Sequence, residues 1–295
     1  MKTVSIVGAS GLVGGRLFRR LRGAAGGRLA ATGTCFRSLP GPGMAALDVT
    51  DRVALAAHLA QGFDFVLYAA GTKDLRRCEE DFAFARALNA TPVEEIVRIV
   101  ERERLPTRVV YLSTDYVFDG ERGLYREDDP VRPRTAYGRS KALGERAVLG
   151  AGERHKVIRS AAVMARGASF FDWLLRELGS DREVPLYDDC SFSPTPAELL
   201  CEMVEELVCA YDEVPQRIVH AVGERRLSRH ALGRLVAAMV PAARAKLVPA
   251  KRGAGGPLFQ ADLSLAPSEF VRSRQKRSFE AYLADEVGTA LAEPQ

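Results

Sequence analysis

The chain is expected to fold as a doubly wound α/β protein, a parallel sheet with helices on both faces, followed by a smaller C-terminal lobe. Three observations carry that expectation. Short β-prone runs alternate with helical segments through residues 1–165, the first run ends in a glycine-spaced turn that opens a helix, and the alternation loosens beyond Arg166. The domains drawn from this pattern are 1–165 and 166–295, the second exchanging elements with the first. At 295 residues the chain is long enough to build both cores.

The elements follow in order. Residues 3–7 form the first strand, and the helix behind it carries Leu17, Phe18 and Leu21 on one side. Residues 29–36 form a second strand and a short apolar run leading into 47–51 a third, both read as buried. Asp51 begins a helix, and residues 65–68 make the fourth strand. The stretch 79–103 is broadly helical, interrupted or restarted at Pro92, whose ring cannot continue a helix. Residues 109–112 and 157–160 supply a fifth and a sixth strand, with a helix over 136–148 between them, and right-handed crossovers place such helices on both faces.

In the lobe, 170–178 is helical and 184–196 reads as a proline-punctuated loop. Thr195, Pro196 and Glu198 supply an N-cap, a first-position proline and a capping-box acid for the next helix. Residues 252–257, rich in glycine, read as a flexible loop.

Composition excludes several classes of function. With 42 Lys and Arg against 38 Asp and Glu, the charge is too balanced to favour nucleic acid. The cluster Arg272, Arg274, Lys276 and Arg277 reads as a solvated helix face. Cys35, Cys78, Cys190, Cys201 and Cys209 lack CxxC spacing, so neither disulfides nor a metal site is expected. The N-terminus has no signal-type segment, and no run approaches the roughly 20 apolar residues that span a bilayer. The expected location is the cytoplasm, away from membranes.

Gly8, Gly11 and Gly14 form GxxGxxG directly after the first strand. The first allows a tight turn, the second close approach of a diphosphate, and the third close packing of helix on strand. Gly8, Ser10, Gly11, Leu12 and Val13 are therefore candidate dinucleotide contacts, with phosphates at the helix N-terminus. At the end of the second strand, where an acid would accept from a ribose, stands Arg37. A guanidinium suits a 2′-phosphate, so NADP is the expected cofactor, against the alternative of a surface arginine. Asp48, with Val49 beside it, is placed at the adenine end, and an N-cap role competes for Asp48. Ala69, Ala70 and Gly71 are small where bulk would block a cofactor, as a plain turn also requires.

Tyr137 and Lys141 give YxxxK at the start of a helical stretch, four residues apart and so on one face. The neighbouring cation is expected to lower the phenol's pKa. Ser113 and Thr114, at the end of a strand upstream, add hydroxyls.

Together, GxxGxxG, YxxxK and the strand-end Ser/Thr resemble the extended short-chain dehydrogenase/reductase family, with its Rossmann-type sheet. STDYVFDG at 113–120, AYGRSKALGE at 136–145, YAAG at 68–71, LNAT at 88–91 and SPTPAELL at 193–200 are similar to the dTDP-4-dehydrorhamnose reductases within it. The resemblance covers most of the chain and weakens after about residue 215. It implies reduction by NADPH of a ketone on a nucleotide-linked deoxysugar, Tyr137 giving the proton and Lys141 tuning the phenol and holding the nicotinamide ribose. Thr114 would orient the carbonyl ahead of Ser113, and Asn89 would help position Lys141. Lys73, Thr114, Tyr116 and Ala162 are placed on the substrate side. A homodimer is a further expectation of the resemblance. A sister epimerase or dehydratase, or a silent NADP-binding regulatory module, are the competing readings.

Alternatives remain for single residues: Tyr116 and Phe118 as core aromatics, and Asn89 as a helix-internal amide bonded to backbone. Two departures alter the expected pocket: Arg159, Ser160, Ala161 and Ala162 stand where the reductases carry an RTSW-like segment, and Phe192 stands where they carry a glycine.

Overall fold

The computed structural model describes residues 1–23, 28–253 and 260–292. Its first half follows the alternation in the sequence: β1 (Lys2–Val7), α1 (Leu12–Gly23), β2 (Leu29–Cys35), β3 (Met44–Ala46), α2 (Arg52–Leu59), β4 (Phe65–Tyr68), α3 (Leu75–Glu80), α4 (Phe82–Asn89), α5 (Thr91–Arg102), β5 (Arg108–Thr114), α6 (Ala136–Gly150) and β6 (Lys156–Ser160). The rest comprises β7 (Val163–Met164), α7 (Ser169–Leu178), β8 (Glu183–Tyr187), β9 (Ser191–Phe192), β10 (Thr195–Pro196), α8 (Ala197–Cys209), β11 (Ile218–His220), β12 (Leu227–Ser228), α9 (Arg229–Ala237), β13 (Lys246–Ala250), α10 (Glu269–Arg274) and α11 (Phe279–Ala292).

Seven strands form one sheet in the order β11-β6-β5-β4-β1-β2-β3, and every pairing from β5 through β4, β1 and β2 to β3 is parallel. This is a Rossmann-type sheet, and strand order reverses between β1 and β4. Such a switch point leaves a crevice outside the carboxyl ends of the two strands, where α/β sheets take ligands. Two compact units share the chain: Met1–Val117, Val131–Arg159 and Val204–Val219 in the first, and Phe118–Pro130, Ser160–Met203 and His220–Gln295 in the second.

The first unit's core follows from helix period meeting strand run. Val93, Ile96, Val97 and Val100 recur at i, i+3, i+4 and i+7 along α5, and they cluster with Val66, Tyr68, Val109 and Tyr111 of the sheet. Burying one such aliphatic side chain contributes about 1.5–3 kcal/mol. Three local expectations differ from what is observed. The third strand, β3, leads into residues 47–51 as expected, but it is not buried: Ala45 and Ala46 are exposed because β3 is the sheet's edge. The helical stretch 79–103 is broken twice. Pro92 does fall in the first turn of α5, but Asp81 also ends α3 and caps α4 by accepting from the Phe84 N–H at 2.9 Å. Residues 184–196 hold most of β8 with β9 and β10, paired to β13, β12 and β7.

Thr195 does not cap α8. It sits in β10, its hydroxyl donating to the Ser193 carbonyl at 3.1 Å, and the Glu198 N–H is taken instead by the buried Glu286 carboxylate of α11 at 2.9 Å. A carboxylate at a helix N-terminus answers both the free N–H and the dipole. Of the glycine-rich stretch, residues 254–257 lie outside the described residues. In the basic cluster, Arg272 pairs with Glu269 and Arg277 with Asp285 on exposed surface. Among the described residues no helix is long and apolar enough to cross a membrane, and no His, Cys, Asp and Glu group is arranged to hold a metal ion.

One buried histidine ties fold stability to pH. His155 is fully buried, its Nδ1 accepting from the Val109 N–H at 3.0 Å while Nε2 meets Glu101 Oε1 at 2.9 Å. An accepting Nδ1 requires the neutral ring. Desolvation lowers the His155 pKa, partly opposed by Glu101. The unfolded chain therefore takes up the proton first as pH falls, and the contribution is present above about pH 6.5 and lost below it. We expect thermal unfolding to shift downward between pH 7 and pH 5.5, with a ceiling of about 1.4 kcal/mol per pH unit for one proton. His155→Gln, which can keep both hydrogen bonds, flattens that dependence; an unchanged slope removes His155 as its cause. His58, also buried with a pKa lowered by desolvation, adds to the dependence in the same sense.

Candidate active site

The glycine turn after β1 is built as its spacing predicts. Gly8 has φ +93°, and a Cβ there would lie 2.6 Å from the Ala70 backbone nitrogen; a Cβ on Gly14 would lie 2.2 Å from the Gly8 carbonyl oxygen. Both positions therefore need glycine for the fold itself. At Gly11 the nearest such approach is an ordinary 3.4 Å, and no positive φ requires glycine. Of the three glycines, Gly11 is therefore the one that the surrounding protein does not require. Ser10 and Gly11 are exposed, Leu12 and Val13 half-buried, and the first turn of α1 contains no acid to occupy its N–H groups. That combination fits a diphosphate.

Ala69, Ala70 and Gly71 follow β4, and the backbone of Ala69 and Ala70 lies directly against this turn. Arg37 is exposed just beyond β2, beside the exposed Phe36. Asp48 is not the N-cap of α2. Asp51 is, accepting from Val53 and Ala54 at 2.8 and 3.1 Å, while Asp48 Oδ1 is held by the Thr50 N–H and hydroxyl at 2.9 and 2.7 Å. Val49 next to it is half-buried.

At the carboxyl end of β5, two strands from β1, lie the hydroxyls and the phenol. Thr135 caps α6 by accepting from the Gly138 N–H at 3.0 Å, which starts the helix one residue before Tyr137 and puts Tyr137 and Lys141 one turn apart. Thr114 lies against the Tyr137 phenol and favours its ionised form. The Thr114 hydroxyl also donates to Asp115 Oδ1 at 2.8 Å and accepts from the Tyr116 N–H at 3.3 Å. Thr114 must therefore turn its proton away from Asp115 before it can donate elsewhere. Ser113 Oγ is buried and has no hydrogen-bond partner among the described residues. Lys141 is buried, its ammonium donating to the Leu112 carbonyl at 2.6 Å and lying 4.1 Å from the Tyr111 ring centroid.

The electrostatics correct one expectation. The Tyr137 pKa is raised, not lowered: burial dominates, Thr114 opposes it, and Asp115, Tyr116 and Cys78 add to it. Burial acts on Lys141 in the opposite sense, bringing it down to about 7 against the pull of Glu145. Removing water penalises both charged forms, so the site holds a neutral phenol beside an amine that exchanges protons near neutral pH.

Asn89 does not bond Lys141. Its amide nitrogen donates to Ser140 Oγ at 2.9 Å and to the Thr72 carbonyl at 3.1 Å, and its oxygen accepts from the Thr72 N–H at 2.8 Å. Ser140 in turn donates to the Tyr137 carbonyl at 2.7 Å. A chain of contacts thus runs from Gly8 through Ala70 and Gly71 to Asn89, Ser140 and the Tyr137 turn. Gly71, at φ +139°, has room for no side chain because Asn89 Oδ1 lies 2.3 Å from its would-be Cβ.

Three groups were not read from the sequence. Asp115 holds Thr114, Gly138 lets the Tyr116 carbonyl oxygen within 2.1 Å of where a Cβ would sit, and Glu145 lies one turn past Lys141. For Glu145 the signal was present, since a third polar residue at the i+4 spacing continues the face of Tyr137 and Lys141.

On the expected substrate side, Tyr116 is half-buried and meets the Tyr137 ring edge-on with centroids 5.7 Å apart. Phe118 is a core residue, fully buried and stacked on Tyr125 at 4.3 Å. Lys73 is exposed between Thr72 and α3. Ala162 belongs to the second unit, where its carbonyl accepts from the Thr195 N–H at 2.9 Å, and Phe192 of the same unit has Arg229 over its ring at 5.6 Å.

Comparison with known proteins gives a consistent picture. The family model described as RmlD substrate binding domain matches residues 1–256. A dTDP-4-dehydrorhamnose reductase of Mycobacterium tuberculosis is 34% identical over 235 residues, 75% of each chain. Among solved structures, a hypothetical dTDP-4-dehydrorhamnose reductase from Sulfolobus tokodaii superposes with a TM-score of 0.81 at 29% identity, covering 95% of this chain and 96% of that one. The dTDP-4-dehydrorhamnose reductase of Bacillus anthracis, solved in complex with NADP, shares the fold with a TM-score of 0.83 at 19% identity, covering 98% and 99%.

Proposed function

The chain belongs to the RmlD substrate binding domain family, and on that premise we propose that it is an NADPH-dependent ketoreductase acting on a nucleotide-activated 4-keto-6-deoxysugar. One observation carries the reading: a neutral phenol, a titratable amine and a threonine hydroxyl gather at the carboxyl end of β5, tied by contact to the glycine turn of β1. When bound, the nicotinamide supplies the hydride that a ketone carbon accepts. The Gly8–Val13 turn holds the diphosphate and Arg37 the 2′-phosphate. Tyr137, kept protonated by its burial, gives its proton to the carbonyl oxygen, and Thr114 orients that oxygen. Lys141, poised near neutral pH, replaces the proton and touches the cofactor ribose. Asn89 acts at one remove, through Ser140, by holding the turn that carries Tyr137.

The reading is tested by NADPH absorbance with a panel of 4-keto-6-deoxy sugar nucleotides, at least one of which is expected to drive oxidation. No oxidation with any of them removes the ketoreductase assignment. In the same assay Arg37→Ala should raise the KM for NADPH about tenfold or more, as loss of a charge-assisted contact implies, and leave NADH nearly unchanged. Equal losses for the two cofactors would remove the role of Arg37.

A further inference from the structure

The buried face of α6 carries one more charge than the proposed chemistry uses. Glu145 follows Lys141 by four residues and Tyr137 by eight, so the three side chains succeed one another along one side of the helix. Glu145 is 2% and Arg159 1% exposed, and they meet at two points: Arg159 Nε donates to Oε1 at 3.0 Å and Nη2 to Oε2 at 2.8 Å. The planar fork fixes the carboxylate in place. An ion pair taken out of water in this way is often no more stable than apolar side chains of the same volume. Its presence beside Lys141 calls for another reason. Lys141 is itself buried, and among the described residues it forms no ion pair.

We propose that Glu145, held by Arg159, is a positioning residue for charge: its carboxylate keeps the buried Lys141 amine in reach of the ammonium form and so sets the pH range in which the Tyr137–Lys141 face works. The inference rests on the catalytic reading of that face. Glu145 is the charge that acts against the desolvation of Lys141. The other titratable groups around α6 are differently placed. Tyr111 of β5 and Tyr137 of α6 itself are held protonated by burial, Asp115 of the 115–117 turn and Cys78 of α3 act on Tyr137, Glu145 itself and Glu94 of α5 act on Tyr111, and α4 presents the uncharged Asn89.

The test is a site-resolved NMR titration of Lys141 in the full chain labelled with 15N-lysine, its signal assigned by its loss in Lys141→Arg. Glu145→Gln is expected to lower the Lys141 midpoint by about one pH unit, and the limb of the kcat pH profile governed by that midpoint should move with it. Glu145→Asp, which keeps a carboxylate, restores most of the shift. Because Glu145→Gln removes the carboxylate that the buried Arg159 guanidinium faces, Glu145→Gln combined with Arg159→Met is measured beside it; the double variant regains stability yet still shows the lowered midpoint. An unchanged midpoint in the double variant overturns the proposal. The titration needs no turnover, so a chain inactive on every ketone tested would count against the catalytic reading and leave this measurement standing.

Discussion

Tyr137→Phe is expected to lower kcat by about 10²–10⁴-fold while leaving the dissociation constant for NADPH within a factor of two or so. Removing the hydroxyl deletes the proposed proton donor, whereas the ring, packed against Cys78, Ala85 and Ala136, keeps its place. The edge-on contact with Tyr116 and the Ser140 bond to the Tyr137 backbone do not involve the hydroxyl either. The fold and the cofactor turn should therefore be unaffected, which makes the variant a clean separation of chemistry from binding. Steady-state kinetics and a fluorescence titration with NADPH check it. Full activity in the Phe variant would mean that the proton comes from elsewhere.

Gly138→Ala is expected to cost about 10²-fold in kcat/KM, with little change in the NADPH dissociation constant. The added methyl would stand 2.1 Å from the Tyr116 carbonyl oxygen and 3.1 Å from the Pro133 ring, and because the closer neighbour is backbone it cannot swing aside. Either the 115–117 turn or the start of α6 must move, and these carry Thr114 with Asp115 on one side and Tyr137 on the other. A displacement near 1 Å is enough to misalign a proton donor and an orienting hydroxyl. Gly150→Ala is the control, since a Cβ there meets nothing within 4 Å. Gly150 is the last residue of α6, so the change should be neutral or stabilising by less than the roughly 0.5–1 kcal/mol that alanine gains over glycine in mid-helix. Should both variants behave alike, the close approach at Gly138 does not hold the site together.

Much of this architecture was legible in the order of residues because it depends on short-range rules. The strand of residues 65–68, the helix faces of Leu17, Phe18 and Leu21, and the Asp51 start of α2 follow from period and capping. The GxxGxxG turn and the YxxxK pair were legible for the same reason, since each states a local geometry within one or two turns of chain. Where a local rule misled, a distant partner had displaced the local one. Thr195 and Glu198 carry the pattern of a capping box, yet Glu286, 88 positions away, reaches the N–H first. Residues 44–46 are apolar enough for a core strand, but their place at the sheet's edge exposes them.

The pairing of chemical groups with their environments belongs to the tertiary structure for the same reason. Position along the chain determined that Tyr137 and Lys141 share a face, that Gly8 begins a glycine-spaced turn directly after β1, and that an arginine rather than an acid follows β2. It did not contain the burial that drives the phenol up and the amine down, because desolvation is produced by the atoms of β5, α3 and α4 that close over α6. Nor did it contain the joining of Asn89 to Ser140, or of Glu145 to Arg159, whose partners lie 51 and 14 positions apart. Backbone periodicity is a property of neighbours in sequence, whereas dielectric, charge pairing and close approach are properties of neighbours in space.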